Sequence, residues 1–255
     1  MDDEMYAEFV DVGDAHWWFD GRRQVVEAVL RQSLEASPPP PAGTKRQILD
    51  VGCGTGAMLG MLRQFGDVQG LEMYPDAIAA CFDTYGDEIP VQLGRIPEDL
   101  PHDASLDVVG AFDVVEHIED DYGLVKHIFE SVRPGGLFVA TVPAFPILWG
   151  INDEMSHHVR RYRSERMHDV LTSAGFEIER STHFNTWLFP GAAIVRVGRR
   201  LVPAGRRSDK PDLSLTSPRV DKVLAKVFAS ERHALRHVDL PVGVSLLTLA
   251  RRPTP

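Results

Sequence analysis

The sequence predicts an α/β fold: a mostly parallel sheet of seven strands with helices on both faces. Short apolar runs alternate with longer segments of helical periodicity, the pattern of parallel strands joined by helical crossovers. The run Leu106–Phe112 is apolar at nearly every position, as expected for a central strand that is buried on both faces.

Strands and helices follow one another in order along residues 46–250. The strands are predicted at 46–52, 68–72, 90–93, 106–112, 137–142, 176–184 and 244–250. The helices between them are predicted at 57–65, 75–85, 121–132 and 164–174. Turn residues mark several ends: the first strand runs into glycine, a Pro-Gly-Gly turn at 134–136 follows the third helix, and Gly175 stops the fourth.

Two further segments lie outside this alternation. Apolar residues recur at helical spacing before position 36, and the proline-rich connector SPPPPAG follows them, so we predict a helical appendage or lid at 1–43 and the main domain at 44–255. The insert 185–243 contains an apolar stretch with interleaved arginines at 187–201 and a predicted helix at 218–237. It could form a substrate cover, a dimer contact or an interfacial surface.

Composition narrows the class of protein. Of 255 residues, 44% are hydrophobic and 25% are charged, which is typical of a globular protein. The net charge of −10 argues against a general nucleic-acid binder. Residues 196–237 nevertheless carry eleven Lys or Arg against four Asp or Glu. This basic segment is either a solvated surface or a face for an anionic substrate or membrane surface.

The cellular location is predicted from the cysteines and the apolar runs. Cys53 and Cys81 are the only cysteines, which favours a reduced compartment over a disulfide framework. No apolar run is long enough for a membrane span, and the acidic start lacks the features of a signal peptide. We therefore expect a cytoplasmic protein; peripheral membrane contact and a homodimer stay open.

The segment ILDVGCGTGAML carries the main functional signal. A predicted buried strand ends at Asp50 and runs into Gly52, Gly54 and Gly56, and a predicted helix follows. Glycines permit sharp turns and close approach of a ligand to the backbone, and a helix start presents free N–H groups. Twenty residues beyond Gly52, Glu72 ends the next predicted strand, where a carboxylate can accept hydrogen bonds from both ribose hydroxyls.

The glycine spacing indicates what kind of ligand fits. It is Gly-x-Gly-x-Gly rather than the dinucleotide fingerprint Gly-x-Gly-x-x-Gly, since position 57 is alanine. A nucleoside without a pyrophosphate is therefore favoured over a dinucleotide.

Four blocks together resemble one known family. LDVGCGTG, GLEMYPDAI, SLDVVGAFDVVEHIEDD and VRPGGLFVATVP look like the class I S-adenosylmethionine (SAM)-dependent methyltransferases, especially the group with the ubiquinone-type O-methyltransferases. The resemblance covers roughly residues 46–184. It implies a Rossmann-like sheet whose seventh strand is antiparallel and inserted between strands five and six. It also implies SAM as cofactor and S-adenosylhomocysteine as product.

The resemblance also implies a set of cofactor-binding residues. Asp50 and the three loop glycines would surround the methionine part, and Glu72 would bind the ribose. The remaining cofactor residues would contact adenine or line the pocket near the sulfonium: Met73, Ile96, Asp113 and Val114. Many relatives have an acidic residue where this chain has Arg95, and arginine cannot accept a hydrogen bond from the adenine amino group.

Three histidines are candidates for a general base on the acceptor side. His117 follows the fourth predicted strand, and His157 and His158 lie between the fifth strand and the next helix. Each could instead hold its loop in place. Arg161 and Tyr162 follow as candidate acceptor-binding residues. Glu116 beside His117 could orient a base or hold a metal, but no complete ligand set is visible, so no metal site is predicted.

The aromatic cluster HWWF provides the last candidates. Trp17 and Trp18 lie near the start of the predicted first helix, where they either anchor the appendage to the core or form a lid over cofactor and acceptor. HWWF followed by GRR also resembles the N-terminal segment of some bacterial relatives, which favours the lid.

The predicted function is methyl transfer from SAM to a small-molecule acceptor, on a hydroxyl oxygen of a natural product, sugar or quinone-like compound. Methylation of an amine or of a lipid-linked acceptor is the alternative. Three other classes are weighed: an NAD(P)-linked oxidoreductase, a non-catalytic SAM-binding module, and a protein or RNA methyltransferase. The glycine spacing speaks against the first, the intact loop against the second, and the absence of an Asn/Asp-Pro-Pro-Tyr/Phe signature against the third.

Overall fold

A computed structural model describes residues 16–201 and 218–254 of the chain. The predicted structure of residues 1–15 and the loop predicted at 203–217 lie outside the described residues. The seven strands are β1 (Arg46–Val51), β2 (Gly66–Glu72), β3 (Val91–Leu93), β4 (Leu106–Phe112), β5 (Val132–Pro143), β6 (Glu177–Phe184) and β7 (Ser245–Arg251).

The seven strands form one sheet in the order β3-β2-β1-β4-β5-β7-β6. Strands β1 to β5 pair in parallel, whereas β7 is antiparallel to both of its neighbours, β5 and β6. This confirms the predicted fold, including the seventh strand inserted between the fifth and sixth. Because β7 alone is reversed, β6 runs in the same direction as β1 to β5.

Helices cover both faces of the sheet. They are α1 (Trp17–Ala36), α2 (Leu59–Leu62), α3 (Pro75–Tyr85), α4 (Asp121–Ser131), α5 (Ile151–Met155), α6 (Ser164–Ala174), α7 (Phe189–Leu201) and α8 (Pro218–Ala234). Alternate residues of β1 show how the two cores form. Ile48 packs in a cluster with residues of α1, α2 and α8, while Leu49 and Val51 pack in a second cluster with α4 and α6.

Helix α1 packs closely against α8, although nearly two hundred residues separate them. The contact is so close that a Cβ on Gly21 would lie 2.1 Å from Cδ1 of Phe228. Phe228 is fully buried and its ring stacks on Phe184, the last residue of β6. Trp17 contacts the same ring edge-on, with centroids 6.0 Å apart. The two helices outside the strand-helix alternation are thereby fixed to the end of β6.

Two predicted elements differ most in length from those observed. The helix predicted at 57–65 is only the single turn Leu59–Leu62, because the glycine loop continues in turns as far as Met58. β5 begins at Val132 rather than 137, since Val132 already pairs with Leu106 ahead of an irregularity in the ladder. Among the described helices, none has the length and apolar character needed to cross a membrane.

Candidate active site

The candidate active site lies at the edge of the sheet where the parallel strands end. β1, β4, β5 and β6 share one direction, so Val51, Phe112, Pro143 and Phe184 all lie towards this edge. In open α/β sheets, ligands bind in the crevice beyond these carboxyl ends. The loops that follow these strands carry most of the candidate residues.

The glycine loop directly follows β1. Gly52, Gly54 and Gly56 have φ values of 64°, 56° and 87°, in the left-handed region that favours glycine. A Cβ at Gly52 would lie 2.8 Å from Cγ2 of Val114, whereas one at Gly54 would meet nothing within 4 Å. The loop therefore packs tightly beside the end of β4 and leaves open space beside the Cα atom of Gly54.

Glu72 lies at the end of β2 and holds the glycine loop. Its carboxylate accepts hydrogen bonds from the backbone N–H of Gly54 at 2.8 Å, of Met73 at 2.8 Å and of Tyr74 at 2.9 Å. A carboxylate has about four acceptor positions, so one is left for a ribose hydroxyl. Glu72 thus has a structural role that its spacing from the loop did not predict.

Asp50 is buried at the end of β1. Its side chain is 1% exposed, and no hydrogen-bond partner of Oδ2 is found among the described residues. Burial raises the pKa of Asp50 to about 8; the charge of Arg22 opposes this rise and that of Glu72 adds to it. An unpaired buried carboxyl of this kind is a ready partner for a ligand ammonium group.

Apolar side chains flank the loop on the β2–β3 side. Met73 is 50% exposed after β2, and Leu93 is 59% exposed at the end of β3. Ile96 lies close beneath, with Cδ1 3.5 Å from a Cβ placed on Gly52. The backbone N–H of Arg95 donates to Oδ2 of Asp99 at 2.7 Å, so a carboxylate is present in this loop despite the arginine.

Asp113 follows β4 with a φ of 60°, and its backbone N–H donates to the carbonyl of Thr141 on β5 at 2.9 Å. Its carboxylate forms an ion pair with Arg22 of α1. The Arg22 guanidinium is itself 4.4 Å from the ring centroid of Trp18. One predicted cofactor residue and one predicted lid residue are thus joined through an arginine that was not predicted to be in the site.

A hydrogen-bonded triad lies in the segment after β5. Oδ1 of Asp153 is 2.9 Å from Nδ1 of His158 and accepts from Nε of Arg161 at 2.8 Å, while the N–H of Gly150 donates to Oδ2. Burial alone would raise the pKa of Asp153, but the hydrogen bonds from His158 and Arg161 and the Arg161 charge lower it to about 2. Asp153 is therefore ionised and directs the other nitrogen of His158 away from itself.

That other nitrogen, Nε2 of His158, lies 3.9 Å from Oε1 of Glu116. Glu116 is fully buried, and neither carboxylate oxygen has a hydrogen-bond partner among the described residues. Burial and the charge of Asp113 raise the pKa of Glu116 well above its ordinary value. Burial and the neighbouring His158 lower the pKa of His117 to about 4, so this histidine is neutral at pH 7.

Glu116, His117 and His158 also meet the geometric requirement for a metal site. Each offers one ligand atom, and these atoms lie within 4.8 Å of one another. The rings of His117 and His158 meet edge to face with centroids 4.7 Å apart. No complete ligand set is visible in the sequence, because these three residues come from two separate segments of the chain.

Two further predicted acceptor-side residues lie elsewhere. His157 has an exposed side chain and a φ of 54°, so the adjacent histidines differ sharply in their surroundings. Tyr162 is fully buried, and its hydroxyl donates to Oδ2 of Asp121 at 2.9 Å. The ring and hydroxyl of Tyr162 are both held in the core, and its role in acceptor binding stays a prediction.

The glycine loop, the acid at the end of β2 and the crevice at this sheet edge are the features expected of a SAM-dependent methyltransferase. The family model described as a methyltransferase domain matches residues 18–181, and the chain belongs to this family. The predicted cofactor class and enzyme class are thereby confirmed, and the oxidoreductase interpretation is wrong.

Two curated relatives show where the sequence similarity lies. A Mycolicibacterium smegmatis protein described as a SAM-dependent methyltransferase is 29% identical to this chain. The matched part covers 61% of this chain and spans 60% of that protein's length. The ubiquinone biosynthesis O-methyltransferase of Escherichia coli is 25% identical over 67% of this chain and 74% of its own.

Solved structures share the fold at lower identity. A SAM-dependent methyltransferase from Archaeoglobus fulgidus has a TM-score of 0.55 at 20% identity, covering 90% of this chain and 94% of its own. The phosphoethanolamine N-methyltransferase 2 of Haemonchus contortus, solved with S-adenosyl-L-methionine, has a TM-score of 0.59 at 17% identity. The match covers 98% of this chain and 60% of that one.

Proposed function

We propose that this chain methylates a hydroxyl oxygen of a small-molecule acceptor, with His158 as the general base. The observation that carries the proposal is the Asp153–His158 pair, a buried ionised carboxylate 2.9 Å from a half-buried imidazole at the carboxyl edge of the sheet. A hydroxyl is a poor nucleophile until a base removes its proton, whereas a neutral amine needs no base. The pair therefore favours oxygen over nitrogen as the methylated atom.

The cofactor residues are proposed on the fit of the chain to SAM. The cofactor supplies a methyl group on a sulfonium whose leaving group is already activated. The unpartnered Oδ2 of Asp50 suits the cofactor's ammonium group, and the open space at Gly54 suits a close backbone approach. The remaining acceptor position of Glu72 suits a ribose hydroxyl. Met73 and Ile96 would contact the adenine, and Asp113 and Val114 would line the pocket next to the methyl group.

Proton transfer is assigned to His158. Asp153 holds Nδ1 in its protonated form, so that Nε2 presents a lone pair towards Glu116 and the crevice. The acceptor hydroxyl would give its proton to Nε2 as its oxygen forms the bond to the methyl carbon. Glu116 and His117 would line this part of the crevice, where burial favours the uncharged form of each.

Helix α1 is proposed as a lid over the pocket. Trp17 and Trp18 begin this helix, and Arg22 one turn later pairs with Asp113 beside the proposed methyl position. A closed lid would keep water from the reacting groups and hold the acceptor oxygen ~3 Å from the methyl carbon. Such positioning provides most of the rate gain of a methyl transfer.

Calorimetric titration with SAM, NADH and NADPH tests the cofactor assignment first. Micromolar binding of SAM without dinucleotide binding is the expected result. Failure to bind SAM would contradict the assignment of Asp50, Glu72 and the glycine loop.

Neighbouring histidines provide a matched pair for testing the base. His158→Asn should reduce kcat on a phenol or catechol acceptor by about a hundredfold or more, because general base catalysis typically contributes at least that factor. The SAM affinity should stay within about twofold of the wild type. His157→Asn is the control and should retain near-normal turnover. Equal losses in the two variants, or turnover of amines but not hydroxyls, would remove His158 as the base.

A chelator separates this mechanism from the metal alternative offered by Glu116, His117 and His158. With His158 as a free base, turnover is unchanged by excess EDTA. Loss of turnover that Mg²⁺ or Mn²⁺ restores would instead make these residues metal ligands.

A further inference from the structure

The only two cysteines of the chain meet at the glycine loop. Cys53 lies in the loop and Cys81 lies on α3, and both are buried free thiols. The Sγ atom of Cys53 is 3.8 Å from the carbonyl oxygen of Gly54, and the Sγ atom of Cys81 is 3.2 Å from the same oxygen. Two residues far apart in sequence thus bring their sulfur atoms to one point of the cofactor loop.

Glycines on neighbouring segments make room for this thiol pair. A Cβ on Gly70 of β2 would lie 2.7 Å from Sγ of Cys53. A Cβ on Gly56 would lie 3.1 Å from Sγ of Cys81. Each sulfur atom therefore fills space that a side chain on the facing segment would occupy. Because the surrounding packing is this close, the two sulfur atoms have little room to move apart.

The two thiols differ in acidity. A hydrogen bond between them lowers the pKa of Cys81 and raises the pKa of Cys53. Burial and the charges of Asp50 and Glu72 oppose the lowering at Cys81 and add to the rise at Cys53. Cys81 is therefore the thiol that ionises first, with a protonated Cys53 beside it. An attacking thiolate next to a resolving thiol is the arrangement that redox-active cysteine pairs use.

We propose that Cys53 and Cys81 form a reversible disulfide in the presence of a peroxide, and that this disulfide prevents cofactor binding. The Cys81 thiolate attacks one oxygen of hydrogen peroxide and breaks the O–O bond, which gives a sulfenic acid and, after protonation, one water. The Cys53 thiol then attacks that sulfur, forms the S–S bond and releases the second water. The two thiols together lose two electrons and two protons, and the peroxide takes them up. A dithiol reductant reverses the reaction and is itself oxidised to a disulfide.

The disulfide would displace the part of the loop that the cofactor needs. An S–S bond is about 2 Å long, shorter than the separation of two hydrogen-bonded sulfur atoms, so the loop and α3 must approach each other. The Gly54 carbonyl would also lose both neighbouring thiol protons, while the N–H of the same residue is held by Glu72. A shift of Gly54 therefore disturbs Glu72 as well. This effect on affinity rests on the cofactor residues proposed above, whereas formation of the disulfide does not.

Treatment of the full chain with hydrogen peroxide tests the disulfide and its effect separately. Thiol titration of the treated protein after denaturation should show the loss of both thiols. A peptide map without reductant should contain Cys53 joined to Cys81, and a non-reducing gel should show a single chain. Calorimetric titration should then give a SAM affinity at least about tenfold weaker than before treatment, which dithiothreitol restores to within about twofold.

Cys81→Ser is the matched control, because it keeps a hydrogen-bond donor beside the Gly54 carbonyl but cannot form the disulfide. It should bind SAM like the wild type and lose no affinity that dithiothreitol restores, since dithiothreitol does not repair oxidised methionine. Retention of both thiols by the treated wild type would overturn the disulfide. A disulfide without loss of SAM affinity, or equal losses in wild type and Cys81→Ser, would overturn its effect on cofactor binding. Failure of the reduced wild type to bind SAM would count against the proposed cofactor residues, and the peptide map would still decide whether the disulfide forms.

Discussion

At the scale of single residues, Asp50 shows a conflict between stability and function. An ionised carboxylate with an unpartnered oxygen and 1% exposure is costly in the folded protein, and burial is the main reason that its pKa is about 8. The ionised form of Asp50 is stabilised in the folded protein only when a cation binds beside it. Two measurable consequences follow from this one side chain.

The first consequence is a pH-dependent gain in stability on substitution. The folded-state pKa of about 8 lies above the ordinary value of 3.8, so the contribution of Asp50 to stability is full below about pH 4 and is lost as the pH rises towards 8. Asp50→Asn removes this loss. The free energies of unfolding of the variant and of the wild type are measured in urea without cofactor, at about pH 5 and about pH 8.5. The difference between them, variant minus wild type, should be about 2–4 kcal/mol larger at pH 8.5 than at pH 5.

A constant difference between Asp50→Asn and wild type at the two pH values would contradict a raised pKa. The same variant should bind SAM more weakly, because it lacks the carboxylate that pairs with the cofactor's ammonium group. A gain in stability together with a loss of SAM affinity is the result expected for a residue of the cofactor site.

The second consequence is release of a proton on cofactor binding. At pH 7 the carboxyl of Asp50 is largely protonated, and a bound ammonium group would favour its ionised form. Calorimetric titration with SAM in buffers of different ionisation enthalpy should give a release approaching one proton at pH 7 and much less at pH 9.5. Asp50→Asn is the control and should release none. Proton uptake, or release that persists in Asp50→Asn, would place the cofactor's ammonium elsewhere.

Glu72 differs from Asp50 because it also stabilises the loop. Its three backbone hydrogen bonds mean that Glu72→Ala leaves three N–H groups without their acceptor. We expect the variant to lose SAM binding by at least about tenfold and also to lose about 2–3 kcal/mol of stability, measured by calorimetry and urea unfolding. Glu88→Ala, at an exposed ion pair, is the control and should change neither. Unchanged SAM affinity in Glu72→Ala would remove Glu72 from the cofactor site.

At the scale of elements, the packing of α1 against α8 depends on one glycine. A Cβ at position 21 would overlap Phe228, whose ring is fixed between Phe184 and Trp17. Gly21→Ala should destabilise the protein by about 2–4 kcal/mol through overpacking, and Phe228→Ala by a similar amount through a cavity. Because each change relieves the other, the double variant should be more stable than the two separate losses predict. Thermal or urea unfolding of all four proteins measures this coupling, and additive losses would contradict the contact.

The elements also show which features a single sequence can predict. The glycine loop and Glu72 could be identified because a strand, a turn and a fixed spacing of twenty residues are local features. Arg22 and Asp113 lie 91 residues apart, and only the packing of α1 across the sheet edge brings them together. Asp153 was missed although it precedes His158 by five residues, since its short helix α5 has no strong periodicity.

At the scale of the whole molecule, the sheet order determines which loops become neighbours. The alternation of strands and helices predicted seven strands, but local pattern alone cannot give the order in which they pair. The resemblance to class I methyltransferases supplied one part of that order, the antiparallel seventh strand between the fifth and the sixth, and the structure confirms this part. The proposed acceptor side could not be predicted to the same depth, because its residues lie in the segments after β4 and β5, which are far apart in sequence.

This architecture predicts that cofactor binding reduces the local opening of α1, which precedes the glycine loop in sequence. Arg22 connects α1 to Asp113, and its charge also faces Asp50 and Glu116. Hydrogen exchange should therefore show slower exchange in residues 17–25 on addition of S-adenosylhomocysteine, by several-fold, besides the protection expected around the glycine loop. Helix α6, on the opposite face, should not respond. In Arg22→Met the protection of 17–25 should disappear while that of the loop persists; protection confined to the loop in the wild type would mean that α1 does not act as a lid.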